Sequence, residues 1–149
     1  VLGIVTGMVA GLGTITPASG FVGPMGALAI GAGAGVVCFS ATNFMKRALR
    51  IDDSLDVFPV HGVGGIIGTF LTGIFAAAAL GGVGYADKVT MADQIVVQAI
   101  GILAVGAWSG IGTWILLKVS ETVAGLRMTA EEETEGLDTV LHNEKGYNL

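Results

Sequence analysis

Four apolar stretches organise this chain: residues 1–22, 25–45, 57–80 and 94–117. Each is about long enough to cross a bilayer as a helix. None contains Lys, Arg, Asp or Glu. The runs are too long and too uniformly apolar for the strands of an outer-membrane barrel, which alternate. Short connections separate them: a Gly23-Pro24 turn, a polar segment at 46–56 and a glycine-containing loop at 81–93. The pattern predicts an all-α fold, a polytopic transmembrane helical bundle.

After residue 117 the pattern changes. Lys118, Glu121 and Arg127 are compatible with the fourth helix running on into water. Thr129 and Glu132 have the spacing of a capping box, although the acidic run at 131–135 is equally compatible with a solvated segment. The polar composition of the last residues predicts disorder. The expected division is a membrane domain at 1–127 and a tail at 128–149.

Glycine adds a second periodicity. Gly3, Gly7 and Gly11 recur every four residues, as do Gly31/Gly35, Gly64/Gly68 and Gly106/Gly110, and Gly65, Thr69 and Gly73 form a further small-residue row. Such rows let helix backbones approach closely in lipid, so they are expected at helix interfaces. Gly31-Ala-Gly33-Ala-Gly35 lacks the GxGxxG spacing and the preceding strand of a nucleotide loop.

Composition agrees with a membrane protein. Hydrophobic residues make up 52% of the 149 and charged residues 13%, with a mean hydropathy of +0.77; soluble domains carry about 25% charged residues. Every Lys and Arg except Lys88 falls in 46–56 or after residue 117. The positive-inside rule then puts the 46–56 loop and the C-terminus in the cytoplasm. The chain opens with Val inside an apolar run and lacks the basic region of a signal peptide, so it is expected to be the C-terminal part of a larger membrane protein. Cys38 has no partner cysteine for an intrachain disulfide. His61, His142 and Cys38 show no metal-ligand spacing, and no cofactor is expected. Neither a nucleophile–base pair nor a basic aromatic surface for nucleic acid is present.

One imidazole breaks the third stretch. His61 is the only ionisable side chain between Asp56 and Tyr85. An intramembrane polar group is a functional-site candidate because it is costly in hydrocarbon without a cavity or partner. It can serve as structural glue, bonded to a neighbouring helix. It can also line a pore: neutral imidazole donates at one nitrogen and accepts at the other, so it can hold a small solute without carrying charge, and the aliphatic surroundings suit a narrow neutral passage. Asp53 and Asp56 stand where carboxylates complement the dipole of a helix N-terminus. Thr14 and Thr16 can bond back to helix carbonyls near Pro17. Trp108 and Trp114 lie in the fourth stretch, Trp114 as a candidate interface anchor.

Thr16-Pro-Ala-Ser-Gly20, Asp53-Ser-Leu-Asp56-Val-Phe-Pro-Val-His61-Gly-Val-Gly-Gly-Ile-Ile-Gly68, Thr72-Gly-Ile-Phe-Ala76, and Gly136-Leu-Asp138 with His142 and Tyr147-Asn148 together resemble the C-terminal part of the Amt/Mep/Rh ammonium transporters, most closely the bacterial and archaeal Amt branch. The resemblance implies the last four spans of an eleven-span inverted-repeat subunit. It also implies homotrimers in the plasma or inner membrane, with one pore per subunit. His61 matches the second of two pore histidines, Val57 and Thr16 match positions near the lower pore, and Asp53 matches an acidic residue preceding the histidine. Ammonium would be captured, deprotonated and passed as ammonia. Gly136, Asp138, His142 and Tyr147 fit a tail that supports regulation by PII signal proteins. An alternative is an ammonium sensor that signals through this tail and transports little. The chain departs from many relatives at Pro59, where they carry a small residue, and at Val140, where plant relatives carry a phosphorylated threonine.

Overall fold

The computed structural model describes residues 2–147. Val1 of the first apolar stretch and Asn148 of the tail motif lie outside them. The described chain is helical without strands and forms two units, residues 1–105 and 106–149.

Three helices build the core of the first unit: α1 (Leu2–Ile15), α2 (Pro24–Asn43) and α3 (Gly64–Phe75). Wide π-type turns extend α2 through Phe44–Leu49 and precede α3 over Phe58–Val63. Each helix presents a row at four-residue spacing: Ala10, Thr14 and Ala18 from the α1 segment, Gly26, Ile30, Ala34 and Cys38 from α2, and Val60, Gly64, Gly68 and Thr72 from the α3 segment. All of these are buried. Interdigitation of such rows is a standard way for helices to approach. A Cβ on Gly64 would sit 2.7 Å from Thr14 Oγ1 and 3.4 Å from Cys38 Sγ, and a Cβ on Gly68 would collide with the Thr14 carbonyl. Of the small-residue rows in the sequence, Gly64/Gly68 is therefore a true interface. A Cβ on Gly3, Gly7, Gly11, Gly31, Gly35, Gly65, Gly106 or Gly110 would meet nothing within 4 Å in the described chain. Gly73 instead packs against Ile95 and Gln98 of the next helix.

Element ends follow local chemistry. The first apolar stretch was expected to reach residue 22, but α1 gives way to a tight turn at Thr16–Ala18. Pro17 and the left-handed Gly20 (φ 82°) end it there. Among the described residues three helical stretches are long and apolar enough to cross a membrane: Pro24–Leu49, Phe58–Phe75 and Met91–Ala124. The third stretch stops at Phe75 rather than residue 80. There the Tyr85 hydroxyl donates to the Gly73 carbonyl at 2.6 Å, with the Ile74 carbonyl at 3.2 Å. These are carbonyls that a helix end leaves unpaired. The loop after α3 is tied down by Gly84 N–H to Ala76 O at 2.8 Å and Val83 N–H to Phe21 O at 3.1 Å.

α4 (Met91–Ala124) opens with a reciprocal cap: the Thr90 N–H donates to Asp93 Oδ2 at 2.9 Å and the Asp93 N–H to Thr90 Oγ1 at 3.3 Å. None of its residues is buried. A helix that is apolar on every face and uncovered suits a lipid environment. In the second unit it continues past residue 117 as expected but ends at Ala124, before Gly125 in a left-handed conformation (φ 76°), so Arg127 lies outside it. α5 (Ala130–Glu135) starts at the capping box that the spacing of Thr129 and Glu132 suggested, whereas the last residues were expected to be disordered and yet include α6 (Leu137–His142). The capping box is present, with the Thr129 N–H donating to Glu132 Oε2 at 2.9 Å and the Glu132 N–H to Thr129 Oγ1 at 3.3 Å. Arg127 adds an ion pair to Glu133 at 3.2 Å. Composition misses these local bonds.

Thr14 is fully buried and its hydroxyl has no partner among the described residues. Two substitutions therefore separate packing from hydrogen bonding. In thermal melts of the purified full-length protein, Gly68→Ala should lower stability by about 1–3 kcal/mol through overpacking. Thr14→Val should leave it unchanged or raised, because no hydrogen bond is lost.

Candidate functional site

Asp53 sets the start of the segment that carries His61. Its two carboxylate oxygens accept from the backbone N–H groups of Val57 (2.9 Å) and Phe58 (2.8 Å), donors left free at the start of a helix. These two bonds, with a smaller contribution from nearby Lys46, hold the Asp53 carboxyl below the usual carboxylate range. Asp56 occupies the left-handed region (φ 57°), a conformation that Asp tolerates better than most residues. Its carbonyl accepts from Val60 N–H at 3.0 Å. Its carboxylate lies 2.6 Å from Lys46 Nζ, an ion pair that leaves the Asp56 side chain 17% exposed. The contact is a charge pairing rather than a well-angled hydrogen bond, since Asp56 Oδ1 has no partner of hydrogen-bond geometry.

Pro59 falls in the first turn after this cap, where its missing N–H costs nothing. The backbone widens through Phe58–Val63, and wide turns of this kind concentrate at functional sites. His61 sits in the widened turn. Its side chain is exposed in the described chain. α1 passes beside it at Gly13, where a Cβ would lie 3.9 Å from His61 Nδ1 and 3.7 Å from the Val60 carbonyl.

α1 and α3 run in the same direction: Gly13 is level with Val60 and His61, and Thr14 with Gly64 and Gly68. Val57 therefore precedes the His61 level and Thr16 lies beyond it. Both were expected near the lower pore; in the described chain they stand on opposite sides of the His61 level. Val57 is half exposed, at 52%. Thr16 is exposed and its hydroxyl donates to Leu12 O at 2.7 Å, the local backbone bond anticipated near Pro17.

The tail candidates are held by short-range structure. Gly136 (φ 103°) separates α5 from α6 in a conformation that favours glycine. Asp138 lies in the first turn of α6, where a carboxylate suits the helix dipole, and His142 in its last. Tyr147 is 83% exposed. Among the described residues no group of three or more His, Cys, Asp or Glu side chains could hold a metal ion. Lys46 is the residue that sequence reading missed: as one of three clustered cations it served only to set orientation, and its pairing across the loop has no sequence signature.

Long apolar helices, uncovered apolar surface and a lone imidazole on an uncharged segment define a polytopic helical membrane protein. The chain belongs to the Ammonium Transporter Family, whose model matches residues 1–147. It is 45% identical to an ammonium transporter of Aquifex aeolicus over 100% of this chain and 35% of the relative. It is 43% identical to a putative ammonium transporter of Methanothermobacter thermautotrophicus, over 99% of this chain and 37% of that protein. The ammonium transporter Amt1 of Archaeoglobus fulgidus is 42% identical, over 98% and 37%. The chain thus spans about a third of the length of these curated relatives.

The Asp53 cap makes a pH dependence. Its lowered carboxyl contributes stability that is fully present above the unfolded-state value of about 3.9 and is lost as pH falls through the lower folded value. Melting temperatures of the native protein and Asp53→Asn should differ at pH 6 and converge as pH falls below about 4. A constant difference down to pH 2 would assign the effect to something other than this carboxylate.

Proposed function

We propose that the protein containing this chain moves ammonium across a membrane, and that ammonium is deprotonated and passed as ammonia along a narrow apolar passage. His61 is one member of a histidine pair lining that passage. The observation that carries this reading is the setting of His61: an unburied imidazole on a segment with no other ionisable side chain before Tyr85, beside a glycine of the neighbouring helix. A neutral ring there can accept from or donate to a passing solute while the aliphatic wall excludes hydrated ions. The names of its relatives point the same way.

In this reading Val57 and Thr16 line the passage before and beyond the His61 level. Asp53 and Asp56 fix the start of its helix and take no part in proton transfer. The protein works as a homotrimer in the plasma or inner membrane, with the C-terminus in the cytoplasm, where the basic residues cluster. Gly136, Asp138, His142 and Tyr147 form a docking element for a PII-type signal protein. Its order through residue 142 supports a defined contact surface. The chemistry is solute transfer and not bond-making catalysis, and no cofactor enters it.

The test is flux of ammonium and methylammonium into proteoliposomes of the full-length protein, with potassium as control. Loss of one hydrogen bond to the solute, about 1–1.5 kcal/mol, corresponds to about a tenfold change. His61→Ala should therefore change ammonium flux or its selectivity over potassium by about that factor, with trimer and melting temperature retained. Native flux and selectivity in that variant would remove His61 from the passage. Absence of flux in well-folded native trimers would favour a sensor acting through the tail.

A further inference from the structure

We infer that Lys46 is a positioning residue for His61, acting across the loop by holding Asp56. This deepens the reading above and rests on His61 lining the passage. The geometry leads from the cation to the imidazole in three steps. Lys46 belongs to the wide turn that ends the α2 segment, next to Met45, which is buried. Its Nζ reaches across to Asp56 at 2.6 Å. Asp56 in turn supplies, through its carbonyl, the acceptor for Val60 N–H, the residue before His61.

The constraint is needed because the segment is otherwise easy to displace. Asp56 is a non-glycine residue in the left-handed region, which is held only where surrounding contacts determine it. The turn that follows is wide rather than α-helical, and its register can change by one residue on return to regular helix. A shift of that kind would rotate His61 away from Gly13. Asp53 fixes the N–H side of this turn through Val57 and Phe58, and Lys46 fixes the acidic residue between the cap and the turn. The pair also lines an open cavity of about 560 Å³ whose wall includes Ala10, Cys38 and Val60. A displaced Asp56 therefore has space to move into.

Lys46 is not one of the residues proposed to line the passage, and its one ion pair is to Asp56, so its removal should act through the segment that carries His61. The test is a double-mutant cycle in the full-length protein, reading ammonium flux and its selectivity over potassium in proteoliposomes. A second readout is the ¹⁵N signal of the His61 ring, assigned by its disappearance in His61→Ala. Lys46→Met should reduce maximal flux by up to about a hundredfold, the scale of a roughly 1 Å misplacement. It should also move or broaden the His61 signal. Lys46→Arg, which keeps the charge, should restore both. In the His61→Ala background, Lys46→Met should add nothing, since residues acting through one another are non-additive. Asp56→Asn should reproduce Lys46→Met and takes its place in the cycle if Lys46→Met does not assemble. An unchanged ring signal with native flux in Lys46→Met, while His61→Ala is impaired, overturns the positioning role and leaves the passage intact. Independent losses that add in the double variant overturn it as well. Native flux in His61→Ala instead removes the passage reading on which the inference stands.

Discussion

The approach of α3 to the backbone of α1 is the constraint on which the rest of the structure depends. Gly68 has no room for a Cβ against the Thr14 carbonyl, and Gly64 almost none against the Thr14 side chain. In lipid no hydrophobic force draws helices together, so van der Waals contact over such small-residue rows has to supply the association. Because Thr14 and Gly64 are level, His61, three residues before Gly64, falls beside Gly13 of α1. The position of the imidazole is a consequence of this backbone contact more than of any bond made by the ring itself.

Two stitches keep the contact in register. At one end the loop after α3 is bonded to the α1–α2 turn through Val83 and Phe21, and Tyr85 closes the last turn of α3. At the other end the Asp53 cap and the Lys46–Asp56 pair fix the first turn. The polar side chains of both stitches, Tyr85 at one end and Lys46, Asp53 and Asp56 at the other, lie outside the four apolar stretches, where polar groups can pair without the cost of hydrocarbon. Between them the interface is apolar or small apart from Thr14 and Thr72, and Thr72 satisfies its hydroxyl on Gly68 O at 2.7 Å.

The helical class, the extent of α2 and the apolar character of α4 were legible in the sequence, because long uncharged runs have few other folded solutions in lipid. The capping role of Asp53 and the box at Thr129 and Glu132 were legible too, since each rests on spacing along the chain. Of the interface rows only Gly64/Gly68 was legible. Gly3, Gly7 and Gly11 repeat more regularly than Gly64 and Gly68, yet a Cβ on any of them would meet nothing within 4 Å, whereas Ala10 and Thr14 are buried on α1. Periodicity marks a face without saying what covers it. The Lys46–Asp56 pair and the separation of Thr16 from Val57 along the helix pair depend on how distant segments meet, which one-dimensional spacing does not encode.

α4 carries a geometric consequence of its own. Its 34 residues rise about 51 Å, whereas the hydrocarbon is about 30 Å thick. To lie wholly within that layer the helix would need a tilt of about 54°, beyond the roughly 0–40° range of membrane helices. At the upper end of that range about 26 residues are covered and about eight are not. Some of α4 is therefore always outside the oily layer, and Lys118, Glu121 and Thr122, bonded among themselves along the helix, are the residues built for that water. A change in bilayer thickness would be absorbed as lean or protrusion of this one rod.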